Sequence, residues 1–142
     1  MGQPAAKEGD SIEGKDTHYI ISVSLNITPP GKPGTFTFDG IIDGNLSENV
    51  YIMKNRAATV ESTATNEPNH IEIDDKMLPK DAKFMGEPSN EATIKAGSSS
   101  VFIDGKAAAR NGDTANTCND LSGVPVDSPN GTVKASGTVM IG

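Results

Sequence analysis

Tryptophan is absent from this sequence and cysteine occurs once. One cysteine cannot form an internal disulfide, so no oxidative staple holds the chain, and Cys118 is a free thiol, a ligand or a nucleophile. Aromatic residues are only 4% of the chain, and Ile, Leu, Val and Phe together number 28 of 142 residues. That share, about 20%, is where disorder begins to compete with folding. Long apolar runs are also missing: nothing approaches the roughly 18 residues needed to span a bilayer, and the N-terminus lacks the charged-then-apolar pattern of a secretory leader. Basic clusters are missing too. With 12 Lys and Arg residues scattered through a chain of net charge -7, a nucleic-acid or anionic-membrane surface is excluded.

What is present argues for folding. Low-complexity tracts are absent, and 15 Gly with 9 Pro fall short of a disordered linker. The expectation is one domain over residues 1–142 with no effector extension, soluble in the cytoplasm where it is made unless a machine exports it. Its thin core calls for help from a metal or a partner, because apolar burial barely offsets chain entropy in so loop-rich a protein.

No segment shows a capped apolar period of 3.6 residues. Glu72 to Lys83 is the best helical candidate by charge, but Pro79 interrupts it. Tyr19 to Leu25 alternates as a half-buried strand with Ile21, Val23 and Leu25 on one face. Thr28 to Gly34, with three prolines and two glycines, reads as a turn-rich loop. Gly97 to Cys118 reads as a short strand, an Asp104-Gly105 turn, a second short strand ending in Ala108-Ala109-Arg110, a Gly112-Asp113 turn, and the cysteine.

That last stretch recurs. At an offset of 51 residues, Ile52 meets Ile103, Ala57-Ala58 meets Ala108-Ala109, and Ser62-Thr63-Ala64 meets Asp113-Thr114-Ala115. A third copy is split across the termini. Gly137 to Gly142 supplies the strand before the turn, and Pro4 to Asp10 supplies the part after it, so the last strand and the first turn are expected side by side. Three such units predict a mostly β protein of short hairpins with pseudo-threefold repeats and long loops, each unit too small to bury a face alone.

The metal-type residues follow the repeat. Asp10 is followed by His18, Ser62 by His70, and Asp113 by Cys118, so each unit supplies one soft donor and both histidines are used. Imidazole and thiolate converging on one point suit zinc or iron. A calcium site would need a dense run of oxygen ligands that the chain lacks. Taken singly, a loop histidine is usually a surface residue and a lone cysteine usually a small buried apolar one; the shared repeat position is what lifts the set.

Pro4-Ala5-Ala6-Lys7-Glu8-Gly9-Asp10, Ala107-Ala108-Ala109-Arg110-Asn111-Gly112-Asp113 and the Val-x-Ile-x-Gly strands resemble the PAAR-repeat proteins, the spike tips of contractile injection systems. Phe38-Asp39-Gly40, Asn66-Glu67-Pro68-Asn69-His70 and Gly112-Asp113-Thr114-Ala115-Asn116-Thr117-Cys118-Asn119-Asp120 extend the likeness over nearly the whole chain. The resemblance implies a small pointed β cone whose base sits on a trimeric VgrG-like spike, one tip per trimer, in a type VI secretion system or a related phage-tail-like particle. It further implies an apex held by zinc through three histidines and a cysteine, of which His18, His70 and Cys118 match three. The fourth is missing, since Phe36 stands where a histidine is often found. A water, an anion, or Asp16 or Asp120 beside the other ligands would complete the set; otherwise Phe36 caps a three-coordinate or metal-free tip.

By the same resemblance the equivalent strands Val50 to Met53, Val101 to Ile103 and Val139 to Ile141 form the base, with Val50, Ile52, Val101, Ile103, Val139 and Ile141 as spike-binding candidates. The protein is then a non-enzymatic membrane-puncturing tip, exported on firing and meeting the target membrane only then. Two other classes stay open: a cargo-recruiting adaptor working through the loops at Asn26 to Gly34 and Asp74 to Pro88, and a small hydrolase using a zinc with one open position.

Overall fold

A computed structural model describes residues 2–67, 79–118 and 130–142. The strands in chain order are β1 (Gln3–Pro4), β2 (Ser11–Ser22), β3 (Ile27–Gly44), β4 (Tyr51–Ile52), β5 (Asn55–Arg56), β6 (Thr63–Asn66), β7 (Lys83–Phe84), β8 (Glu91–Ile94), β9 (Phe102–Ile103), β10 (Lys106–Ala107), β11 (Thr114–Asn116), β12 (Gly131–Lys134) and β13 (Met140–Ile141). The protein is mostly β and built from several small sheets, consistent with a small β cone.

The repeat is realised as three two-stranded hairpins: β4 with β5, β9 with β10, and β13 with β1. In the last, Gln3 lies opposite Ile141 and Pro4 opposite Met140, so the termini do complete the third unit. The turns of the first two carry positive φ at both central residues, 50° and 70° at Met53-Lys54 and 53° and 80° at Asp104-Gly105. This is the type I′ geometry that matches strand twist, and Asp-Gly signals it while Met-Lys does not.

The hairpins are tied by a closed ring of backbone bonds. The Ala6 N–H donates to the Ala109 carbonyl (2.9 Å), the Ala109 N–H to that of Ala58 (3.1 Å), and the Ala58 N–H to that of Ala6 (3.0 Å). All three alanines are fully buried. A larger side chain at any of these buried positions is expected to overpack the ring. Each alanine leads into the same tight turn. The N–H of its first residue is held by the side chain three positions on: Lys7 by Asp10 (3.0 Å), Thr59 by Ser62 (3.0 Å), Arg110 by Asp113 (2.7 Å).

Beside this ring lies a barrel. The antiparallel order β12-β11-β8-β6-β3-β2 closes on itself because β12 also pairs with β2, from Gly131↔Gly14 to Lys134↔Ser11. Closure leaves these strands no open edge. The interior is filled by Ile12, Phe38, Ile42, Ile94 and Val133, all fully buried, with Ala64, Ala92 and Ala115 between them. Gly14 permits the close crossing, since a Cβ there would lie 2.1 Å from the Asn130 carbonyl oxygen.

Past Gly14 and Gly40, β2 and β3 continue together as a ribbon, paired through Asp16↔Phe36 and His18↔Gly34 to Ile20↔Lys32, with β7 alongside Ile20 and Ile21. Two expectations fail here. The supposed loop at Thr28 to Gly34 is part of β3; residues 28–31 bulge opposite Ile21 alone, so Pro29 and Pro30 fall where no ladder donor is needed, and Gly31 takes φ 82°. The buried face of β2 is the other one. Barrel residue Ile12 sets the parity, placing Asp16, His18, Ile20 and Ser22 inward, while the chain turns at Val23, which is 87% exposed, and Leu25 is exposed as well. The helical candidate at Glu72 to Lys83 lies mostly outside the described residues, and its end is strand β7.

Candidate metal centre

Two residues of β2 and one from the chain after β11 meet under an aromatic cover. Asp16 and His18 are two apart on one strand and therefore share a face. Cys118 follows β11 by two residues. The neighbouring Thr117 hydroxyl donates to the Lys15 carbonyl (2.7 Å), which pins that segment against β2. The Cys118 N–H then donates to Asp16 Oδ1 (3.1 Å), and the thiol donates to Asp16 Oδ2 (3.1 Å). Cys118 Sγ lies 3.5 Å from His18 Nε2, and that nitrogen lies 3.7 Å from Asp16 Oδ2.

Water is kept away from this cluster. Asp16 and His18 are wholly buried and Cys118 is 5% exposed. The His18 ring packs at 5.8 Å from that of Phe36 and 5.5 Å, edge-on, from that of Phe84, and the two phenylalanines touch each other at 5.1 Å. Burial pushes the Cys118 thiol pKa well up, the Asp16 charge and hydrogen bond push it further, and the Asn90 backbone amide pulls the other way. The sulfur is held as a neutral thiol donor as long as no cation competes for it.

The donors suit a metal ion. Imidazole, sulfur and carboxylate atoms all lie within 4.8 Å of one another. For zinc bond lengths near 2.0–2.1 Å to nitrogen and 2.3 Å to sulfur, a tetrahedral centre places those two ligand atoms about 3.5 Å apart, as His18 and Cys118 are. This buried group of Asp16, His18 and Cys118 could hold a metal ion. Of the residues named from sequence, the structure brings Asp16, His18 and Cys118 together; His70 and Asp120 lie outside the described residues. Phe84 was not anticipated, and nothing in its local sequence signals the contact with His18.

At the hairpin ring the six spike-binding candidates are placed unevenly. Ile52, Ile103 and Ile141 face inward and form a satellite core with Ala5, Ala57 and Ala108, against which Val50 and Val101 pack half-buried; Val139 is exposed. The side chains that face out are their strand neighbours. Tyr51, Phe102 and Met140, at equivalent positions in the three units, are 60%, 61% and 58% exposed, with Met53 beside them. Two-residue strands leave one residue for each face, and period-2 alternation names this outward set once the isoleucines are known to be inward.

No curated protein matches the chain. The family model for the PAAR motif matches residues 39–120, covering the first two hairpin units and ending just beyond Cys118, while the structure adds the third unit from the termini. With more than half its length matched and three PAAR-type units closed around Ala6, Ala58 and Ala109, the chain belongs to the PAAR-motif family.

Proposed function

We propose that this protein is a non-enzymatic spike tip of a contractile injection system, seated by its hairpin ring on the threefold end of a trimeric VgrG-like spike and carrying a metal-locked point at the other end. The observation that carries the reading is the outward triad Tyr51, Phe102 and Met140, three large exposed apolar side chains at equivalent places in a pseudo-threefold ring. A single chain that imitates threefold symmetry can offer a like contact to each subunit of a trimer. Exposed apolar groups of this size, clustered on one face, mark an interaction surface.

The far end suits a point. His18 stands seven residues along β2 from Ser11, about 23 Å at strand rise. There the barrel has given way to the ribbon. His18, Cys118 and, by its place in the repeat, His70 would hold zinc, with iron the alternative; such an ion supplies bonds that lock converging segments where little apolar area remains to be buried. Burial of the centre under Phe36 and Phe84 argues against a hydrolase, since a substrate needs access to the metal. The protein would be made in the cytoplasm, join the particle there and leave with it on firing.

Co-purification with a trimeric spike protein tests this. The wild-type chain is expected to bind at one copy per trimer, and the combined variant Tyr51→Asp, Phe102→Asp, Met140→Asp to lose binding while keeping its thermal transition. Undiminished binding by the folded triple variant, or capture of cargo proteins with no spike association, would overturn the reading.

A further inference from the structure

We propose that the Asp16 carboxylate is a direct metal ligand, making the apex a mixed nitrogen, sulfur and oxygen centre without net charge; this deepens the metal-locked reading above and rests on it. The two oxygens of Asp16 have separate tasks. Oδ1 accepts the Cys118 N–H at 3.1 Å, which fixes the plane of the carboxylate. Oδ2 is thereby set beside the other donors, 3.1 Å from Cys118 Sγ and 3.7 Å from His18 Nε2.

The strand register explains why this residue serves. Asp16 lies directly opposite Phe36 in the β2–β3 ladder, so the donor that position 36 does not offer comes from across the ladder at the same level. Phe36 in turn packs on His18 and closes the site from the side.

Charge balance points the same way. A divalent cation with one thiolate and one carboxylate sums to zero, and neutral imidazoles add nothing. With an imidazole in place of the carboxylate, a unit of positive charge would remain among wholly buried side chains and phenylalanine rings, where an uncompensated charge is costly. A centre with one oxygen donor is also harder than a purely nitrogen and sulfur one, which widens its tolerance toward ions such as ferrous iron and cobalt.

The test uses the purified full chain, with zinc content measured directly, zinc affinity measured against a chromophoric chelator, and cobalt(II) as a spectroscopic probe. Wild type is expected to hold one ion with the charge-transfer band of a thiolate ligand and the intense d–d bands of a four-coordinate site. Asp16→Asn keeps an acceptor for the Cys118 N–H but removes the charge; it should lose at least tenfold in zinc affinity and shift the d–d bands. Asp16→His should restore a four-coordinate spectrum, whereas a residue that only orients Cys118 would be replaced by Asn and not by His. An Asp16→Asn protein with wild-type affinity and spectrum overturns the inference and leaves the metal-held apex standing. A folded wild-type chain that takes up neither zinc nor cobalt overturns both.

Discussion

The hairpin ring and the metal-type cluster solve the same problem, how to hold converging segments with little apolar area, in opposite ways. At the ring the solution is repeated and made of backbone: three alanines pass hydrogen bonds around a closed cycle, and three turns are held by the same side-chain-to-N–H contact. At the cluster the described contacts do not repeat one another. Asp16, His18, Phe36, Phe84 and Cys118 come from four unlike segments, and each makes a different contact. Backbone can be satisfied by any small residue in the right conformation, whereas a side-chain cluster depends on each identity.

That contrast can be broken at either end. The largest effect on stability is expected from Ala58→Leu: overpacking the ring centre should cost about 3 kcal/mol, read from urea unfolding, and a shift below 1 kcal/mol would mean that the ring yields easily. Stripping the metal-loaded protein with a chelator should act locally, raising amide exchange roughly tenfold across Asp16 to Ile20 and leaving the Ala58 amide protected. Equal loosening at both ends would dissolve the distinction. Asp113→Ala removes the acceptor of the Arg110 N–H and its 3.0 Å guanidinium contact. A loss of about 1.5 kcal/mol is expected by thermal melting. The smallest effect has the opposite sign: Lys54→Gly relieves a left-handed residue at φ 70° and should stabilise by about 0.5 kcal/mol, the relief exceeding the entropy lost.

The ring was the more legible of the two regions because its grammar is local. Ala-Ala before Gly-Asp recurs in the sequence; the offset of 51 residues aligned the strands of the first two units, and the copy split across the termini set the last strand beside the first turn, where β13 pairs with β1. Met53-Lys54 broke the grammar and still adopts the Asp104-Gly105 turn, since neighbouring pairings override local preference. The ribbon was misread for a reason tied to its site. Its buried face carries Asp16, His18 and Ser22, all polar, while Ile21, Val23 and Leu25 supply the stronger apolar alternation on the face that is not buried. Side chains that could hold a metal ion stand where apolar residues normally mark the inside. Barrel closure through β12 and β2 was invisible because four backbone pairs between distant segments leave no trace in composition.

The pairing of β13 with β1 has a consequence in time. Lys7 reaches the Ser136 carbonyl 129 residues away along the chain, and the third hairpin joins the two ends of the described structure. While the chain emerges from the ribosome, two hairpins and most of the barrel can assemble, but the first strand must wait for almost the last. The third hairpin therefore closes only after Met140 and Ile141 have been made, and the late loop closure makes folding slow relative to a chain of local contacts.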